Sequence, residues 1–112
     1  MALLIVSTVS EDTIAAPGNR LPNYLLVSVT DSAGIPVTGL EVGNFKVDPM
    51  VVGPGGAAVD IELVWGSQLP GFYRIQVVPT RNYTWTAGVY VFAVAVQRAV
   101  DQGQALTTVL LD

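Results

Sequence analysis

The 112-residue chain reads as an all-β antiparallel sandwich of about seven strands, and three features of the sequence predict it. Apolar and polar residues alternate along most segments, the period of a half-buried strand. Glycine or proline stands between nearly all of these segments, at spacings of about 10 to 20 residues, as turns joining short strands require. No stretch repeats its apolar residues at the 3.6-residue period of a helix.

Taken in order, residues 2–9 form a β-rich apolar run suited to a strand covered on both faces. Residues 10–22 are a long connection punctuated by Pro17-Gly18. From Asn23 to Thr30 the chain alternates, with Leu25, Val27 and Val29 on one face and Leu26, Ser28 and Thr30 on the other. Asp31-Ser32-Ala33-Gly34 ends this strand in a turn, and Val37 to Leu40 crosses over. Asn44 to Asp48 resumes the alternation, with Phe45 and Val47 opposite Lys46 and Asp48. Residues 53–57 (GPGGA) are a loop. The next strand places Val59, Ile61, Leu63 and Trp65 inward and Asp60 and Glu62 outward.

Two long antiparallel strands follow, joined by the loop TRNYTWTAG (80–88), and the other strands are expected to pack onto this pair. Tyr73, Ile75 and Val77 oppose Arg74 and Gln76 before Pro79, which cannot donate to a ladder, ends the first of them. The second runs from Val89 to Arg98. Asp101-Gln102-Gly103-Gln104 reads as the last hairpin turn, and Ala105 to Leu111 as the final strand. Ile61, Leu63, Ile75, Val77, Phe92, Val94 and Val96 are expected to share one core. The whole of 1–112 is expected to form a single domain, near the commonest domain size and long enough to bury a core without staples.

Composition narrows the chemistry. Cysteine and histidine are absent, which removes disulfides, thiolate and imidazole metal ligands, and a Ser-His-Asp triad. A net charge of −4 with five basic residues argues against a nucleic-acid partner, which needs a basic stripe over phosphates. Charged residues make up 12% against about 25% in ordinary domains. With 51% hydrophobic residues, this points either to an additional buried face or to a compact all-β domain rich in Val and Ala. No apolar run reaches the roughly 20 residues of a membrane-spanning helix. The amino terminus MALLIVSTVS lacks the basic segment and the longer apolar run of a signal peptide. Either the native protein does not use this route, or the chain is a domain of a longer protein with Met1 added. Membrane insertion is not expected, and the compartment is left open.

Two patterns carry a resemblance. Gly88-x-Tyr90-x-Phe92 places a tyrosine just inside a strand, as in the tyrosine corner of immunoglobulin-like sandwiches. The stretch LLVSVTDSAGIPVTGLEVGNFKV (25–47) resembles a recurring pattern of bacterial immunoglobulin-like domains. There a strand ends at Asp-x-x-Gly-x-Pro-Val, followed by Gly-Leu and a Phe-containing strand. Here these are Asp31, Gly34, Pro36, Val37, Gly39, Leu40 and Phe45. The resemblance implies an immunoglobulin-like antiparallel β-sandwich, a scaffold found in surface adhesin modules, accessory domains of secreted enzymes, and phage or pilus components. The disulfide of antibody domains is missing, and Phe92 stands where its second cysteine would be.

Candidate chemistry is sparse. Asp60 and Glu62 lie on one strand face at i, i+2, as a carboxylate pair would, but a solvated outer face has the same pattern. Asp31 and Asp101 are loop carboxylates without the Asp-x-Asp-x-Asp-Gly spacing of a calcium loop. GPGG (53–56) lacks the Lys-Ser/Thr and the helix of a phosphate loop. No catalytic residue, metal or cofactor is expected. In the 80–88 loop, Tyr83 and Trp85 with Arg81 beside them suit sugar stacking or a protein anchor, unless Trp85 plugs one end of the sandwich. Asn82-Tyr83-Thr84 also fits the glycosylation acceptor pattern of a eukaryotic secretory protein.

The last expectation comes from alternation. If Tyr90 and Phe92 face the core, Val89, Val91, Ala93 and Ala95 face outward. An outer face so apolar suits a protein partner or a second copy, unless the amino-terminal arm or the 10–22 connection covers it. The expected function is a non-catalytic structural or adhesive module working through protein–protein contacts, self-assembly included. The alternative is a carbohydrate-binding module using the aromatic loop 80–88 through Tyr83 and Trp85, with Trp65 as a further candidate ring.

Overall fold

The computed structural model describes residues 3–11, 14–51 and 59–111. The 53–57 loop, Ala2 of the first run, and Asp12 and Asp112 lie outside the described residues. The strands are β1 (Ile5–Ser10), β2 (Asn23–Thr30), β3 (Phe45–Val51), β4 (Val59–Gly66), β5 (Phe72–Pro79), β6 (Gly88–Arg98) and β7 (Asp101–Leu111). They form two sheets, in the orders β1-β2-β5-β4 and β3-β6-β7, and every pairing within them is antiparallel. The chain is thus an all-β sandwich of two antiparallel sheets.

Alternation decides the core. Leu25, Val27 and Val29 of β2 and Tyr73, Ile75 and Val77 of β5 are buried against Phe45 and Val47 of β3 and Tyr90, Phe92, Val94 and Val96 of β6. Five of the seven expected core residues are therefore buried, and Ile61 packs against the cluster half-buried.

Leu63 does not join them. A register shift between Ile61 and Leu63 marks a β-bulge, and one extra residue in a strand reverses the faces beyond it. Val64 therefore packs against the core, while Leu63 and Trp65, expected inward, stand 47% and 39% exposed.

The final hairpin also departs from expectation. Asp101, Gln102, Gly103 and Gln104 belong to β7, and the turn is Ala99-Val100. Ala99 adopts φ +55, the positive φ that tight two-residue hairpin turns need and glycine ordinarily supplies. Gly103 is required for a different reason. A Cβ there would overlap the carbonyl oxygen of Leu4. The Leu4 N–H donates to the Gln102 carbonyl at 2.8 Å, and Leu3 bridges Gln102 in parallel. Farther along, Ser10 Oγ donates to the Thr108 carbonyl at 3.1 Å. β1 therefore lies against β7 and closes one side of the sandwich.

The other edges are blunted. β3 carries Lys46 and Pro49, and β4 carries Asp60, Glu62 and the bulge. Charge, proline and bulges are the devices by which edge strands avoid pairing with foreign strands. Before β3, a single turn of 3-10 helix (Val42–Asn44), absent from the expected elements, is held by the Glu41 N–H donating to Asn44 Oδ1 at 2.9 Å.

Candidate functional site

The loop 80–88 is built around Trp85. Its indole is 1% exposed and its Nε1–H donates to the Leu21 carbonyl at 2.8 Å. The ring meets Tyr90 edge-on, with centroids 5.3 Å apart and planes at 86°, and meets Phe92 at 6.5 Å. The loop is laced to the connection before β2. The Gly18 N–H donates to the Trp85 carbonyl at 2.8 Å, and the Trp85 N–H to the Asn19 carbonyl at 3.0 Å. Arg20 adds donations to the carbonyls of Tyr83 (2.6 Å), Pro79 (3.1 Å) and Thr80 (3.3 Å). Trp85 thus plugs one end of the sandwich. Of the loop residues singled out for binding, Tyr83 is 53% exposed and Arg81 is exposed. With Trp85 inside, the loop offers solvent one ring, not a platform.

Tyr90 holds the same end. Its hydroxyl accepts from the Thr86 N–H at 3.0 Å and shares a hydrogen bond with Thr86 Oγ1 at 2.9 Å. The hydroxyl thus returns to backbone four residues upstream, the geometry expected of a corner tyrosine. Tyr73 does related work beneath the β2–β3 crossover. It donates to the Val37 carbonyl at 2.7 Å and accepts from the Leu40 N–H at 3.2 Å.

On the three-stranded sheet, Val91, Ala93 and Ala95 do alternate away from Phe92 and Val94. Ala93 nevertheless has only 6% of its surface exposed, because in register it sits between Asp48 of β3 and Leu106 of β7, both longer. Val91 and Ala95 are half-buried. Among the described residues, the exposed apolar groups of this face are Val89, Leu106 and Leu110, beside the exposed pair Lys46–Asp48 at 3.7 Å. Gly18, Asn19 and Arg20 of the connection hydrogen-bond to residues 79–85, at the end of the sandwich rather than on this stripe.

The larger apolar face belongs to the four-stranded sheet. In register, Val9, Leu26, Arg74 and Trp65 form one row across its outer side. Ser7, Ser28 and Phe72 form the next. Leu69, in the β4–β5 turn, closes over them. Apart from Trp65, these residues line a groove of about 420 Å³, with small serines on its floor and Val9, Leu26, Leu69 and Phe72 as walls. Large exposed apolar groups are normal singly, but a contiguous set marks an interaction surface.

Arg74 lies in the first of these rows, and its charge is neutralised there. The Arg74 guanidinium donates to both Glu11 carboxylate oxygens, at 2.8 and 3.3 Å. It also stacks 3.8 Å from the Tyr24 ring centroid and 5.6 Å from that of Trp65. At the rim, Glu62 accepts from Gln76 Nε2 at 2.8 Å, which ties down one member of the candidate carboxylate pair. Asp31, considered for calcium, accepts from the N–H groups of Ala33 (2.9 Å) and Ile35 (3.0 Å) and so caps its own turn. No helix among the described residues is long and apolar enough to cross a membrane.

The face was only partly readable beforehand. Alternation sets Leu26 and Ser28 on the face opposite Leu25 and Val27, without saying which face is the core, and sets Phe72 and Arg74 opposite Tyr73. That β1, β2, β4 and β5 lie side by side, and that a bulge turns Trp65 outward, required the assembled sheet. Comparison of the chain with known protein families, with curated proteins and with solved structures finds no match to any of them.

Proposed function

We propose that the chain is an immunoglobulin-like, non-catalytic module, structural or adhesive, that works through protein–protein contacts made by its sheet faces. The strand orders β1-β2-β5-β4 and β3-β6-β7 support the immunoglobulin-like reading, since lettered in chain order they are the ABED and CFG sheets of a constant-type domain. The Tyr90 corner supports it independently. A chain without histidine or cysteine also lacks the side chains that most nucleophilic and general-base schemes use.

The observation that carries the functional reading is the contrast between faces and edges. The open edges of the sandwich are blunted by charge, proline and a bulge, whereas the outer side of the four-stranded sheet is a contiguous apolar surface around a groove. Addition of a foreign strand is disfavoured and packing of a face is favoured. Sugar binding through the 80–88 loop is less well supported, since Tyr83 is left to act alone.

Two measurements test the reading together: solution mass as a function of protein concentration, and tryptophan fluorescence across a panel of glycans. A mass that rises with concentration, with no glycan response, is expected. A saturable glycan response lost in Tyr83→Ala, from a chain that stays monomeric, overturns the protein-contact reading in favour of the carbohydrate one.

A further inference from the structure

Resting on the protein-contact reading, we infer that the outer face of the four-stranded sheet is a self-complementary dimer interface whose occupant is a second copy of this chain. Three observations lead there. The first is area. The exposed parts of Ile5, Val9, Leu26, Trp65, Leu69 and Phe72 amount to about 600 Å² before Tyr24, Arg74 and the serines between them are counted. A standard interface buries roughly 800 Å² per partner. Among its described residues the opposite sheet presents Val89, Leu106 and Leu110, about half that area, next to an exposed Lys46–Asp48 pair.

The second observation is charge. Although the chain carries −4, the ionic groups at the groove are Arg74 and Glu11, already paired with each other, and Glu62 stands at the rim, accepting from Gln76. Two copies that meet over the groove therefore strip no lone ion of water at its centre.

The third is relief. Ser7 and Ser28 form a low floor between taller walls at Val9, Leu26, Leu69 and Phe72, so the same surface holds both knobs and a hole. Related by a two-fold axis lying in the plane of the interface, the wall residues of each copy enter the groove of the other. This is the isologous arrangement of cyclic dimers. Sheets packed face to face lie about 10 Å apart, a spacing that interdigitated Leu and Phe side chains fill.

Sedimentation equilibrium of the full chain tests this, comparing wild type with Leu26→Lys and Leu69→Glu on the face and Leu106→Lys on the opposite sheet. All three positions are exposed, so the variants should keep the cooperative melt of the wild type, which circular dichroism checks. The wild type should dimerise, both face variants should weaken association at least tenfold, and Leu106→Lys should leave it unchanged. If Leu106→Lys dissociates the dimer while the face variants do not, this interface is wrong although association through sheet faces stands. If the wild type stays monomeric to millimolar concentration, self-association fails, and the glycan panel then decides whether the protein-contact reading fails with it.

Discussion

Replacing Tyr90 by phenylalanine removes one oxygen from the end of the sandwich and leaves the ring in place. That oxygen accepts from the Thr86 N–H at 3.0 Å and is paired with Thr86 Oγ1 at 2.9 Å. Tyr90 is buried, while Thr86 is half-buried, so water can reach part of what is left unpaired. A net hydrogen bond contributes about 0.5–1.5 kcal/mol, and an orphaned buried donor costs about 1–3 kcal/mol. Partial access by water sets the expected loss at about 1.5 kcal/mol. Unfolding entropy near 2.1 cal/mol/K per residue gives roughly 0.24 kcal/mol/K for this chain, so Tm should fall by about 6 °C.

Thermal and urea denaturation measure that loss, and an unchanged m-value would show that the denatured state is unaffected. Thr86→Ala keeps the backbone donor and removes only the hydroxyl, so its effect should be smaller. The double variant should lose less than the two singles combined, because both act on one hydrogen-bonded group. A Tyr90→Phe midpoint within 1 °C or so of wild type, or strict additivity with Thr86→Ala, would refute the corner assignment.

Phe92→Ala should cost about 3–5 kcal/mol, because the ring is fully buried and touches both Trp85 and Tyr90. Against a total of about 5–15 kcal/mol this brings the domain near unfolding, and a near-native urea midpoint would contradict the packing. Asn23→Leu should raise stability by about 1–3 kcal/mol, since Asn23 is wholly buried with neither side-chain atom hydrogen-bonded. A loss of stability instead would mean that the amide is satisfied, for example by an internal water. Gly103→Ala should cost about 1–3 kcal/mol by overpacking against the Leu4 carbonyl. Hydrogen exchange should show the Leu4 amide deprotected first, and an unaltered Leu4 amide would disprove the close approach.

How much was legible in the sequence depended on the range of the interaction. Strand alternation is set by the chain's own two-residue period. Asn23–Thr30 is therefore bounded as observed with its two faces separated, and the inward faces of β5 and β6 follow from residues such as Ile75 and Phe92. The Gly88-x-Tyr90 spacing likewise located the corner hydroxyl, whose partner lies four residues away. Trp85 was left between two fates, stacking on a ligand or filling the core. The choice depended on Leu21 and the 14–22 connection, more than sixty residues distant.

Tertiary structure decided the rest. A bulge adds one residue without any side-chain signature, so Leu63 and Trp65 looked inward until β4 was paired with β5. Gly103 resembled a turn glycine because chemistry alone does not distinguish a residue that needs positive φ from one that needs no Cβ. Only the arrival of Leu4 from the other end of the chain makes the second reason apply. The candidate interface is the extreme case. Its residues come from β1, β2, β5 and the end of β4, and they become neighbours because sheet order, a property of long-range pairing, sets those strands side by side. Sequence alone determined which residues each strand turns outward up to its first irregularity. The tertiary structure decided which of those outward residues form one surface, since adjacency across a sheet is written in no single strand.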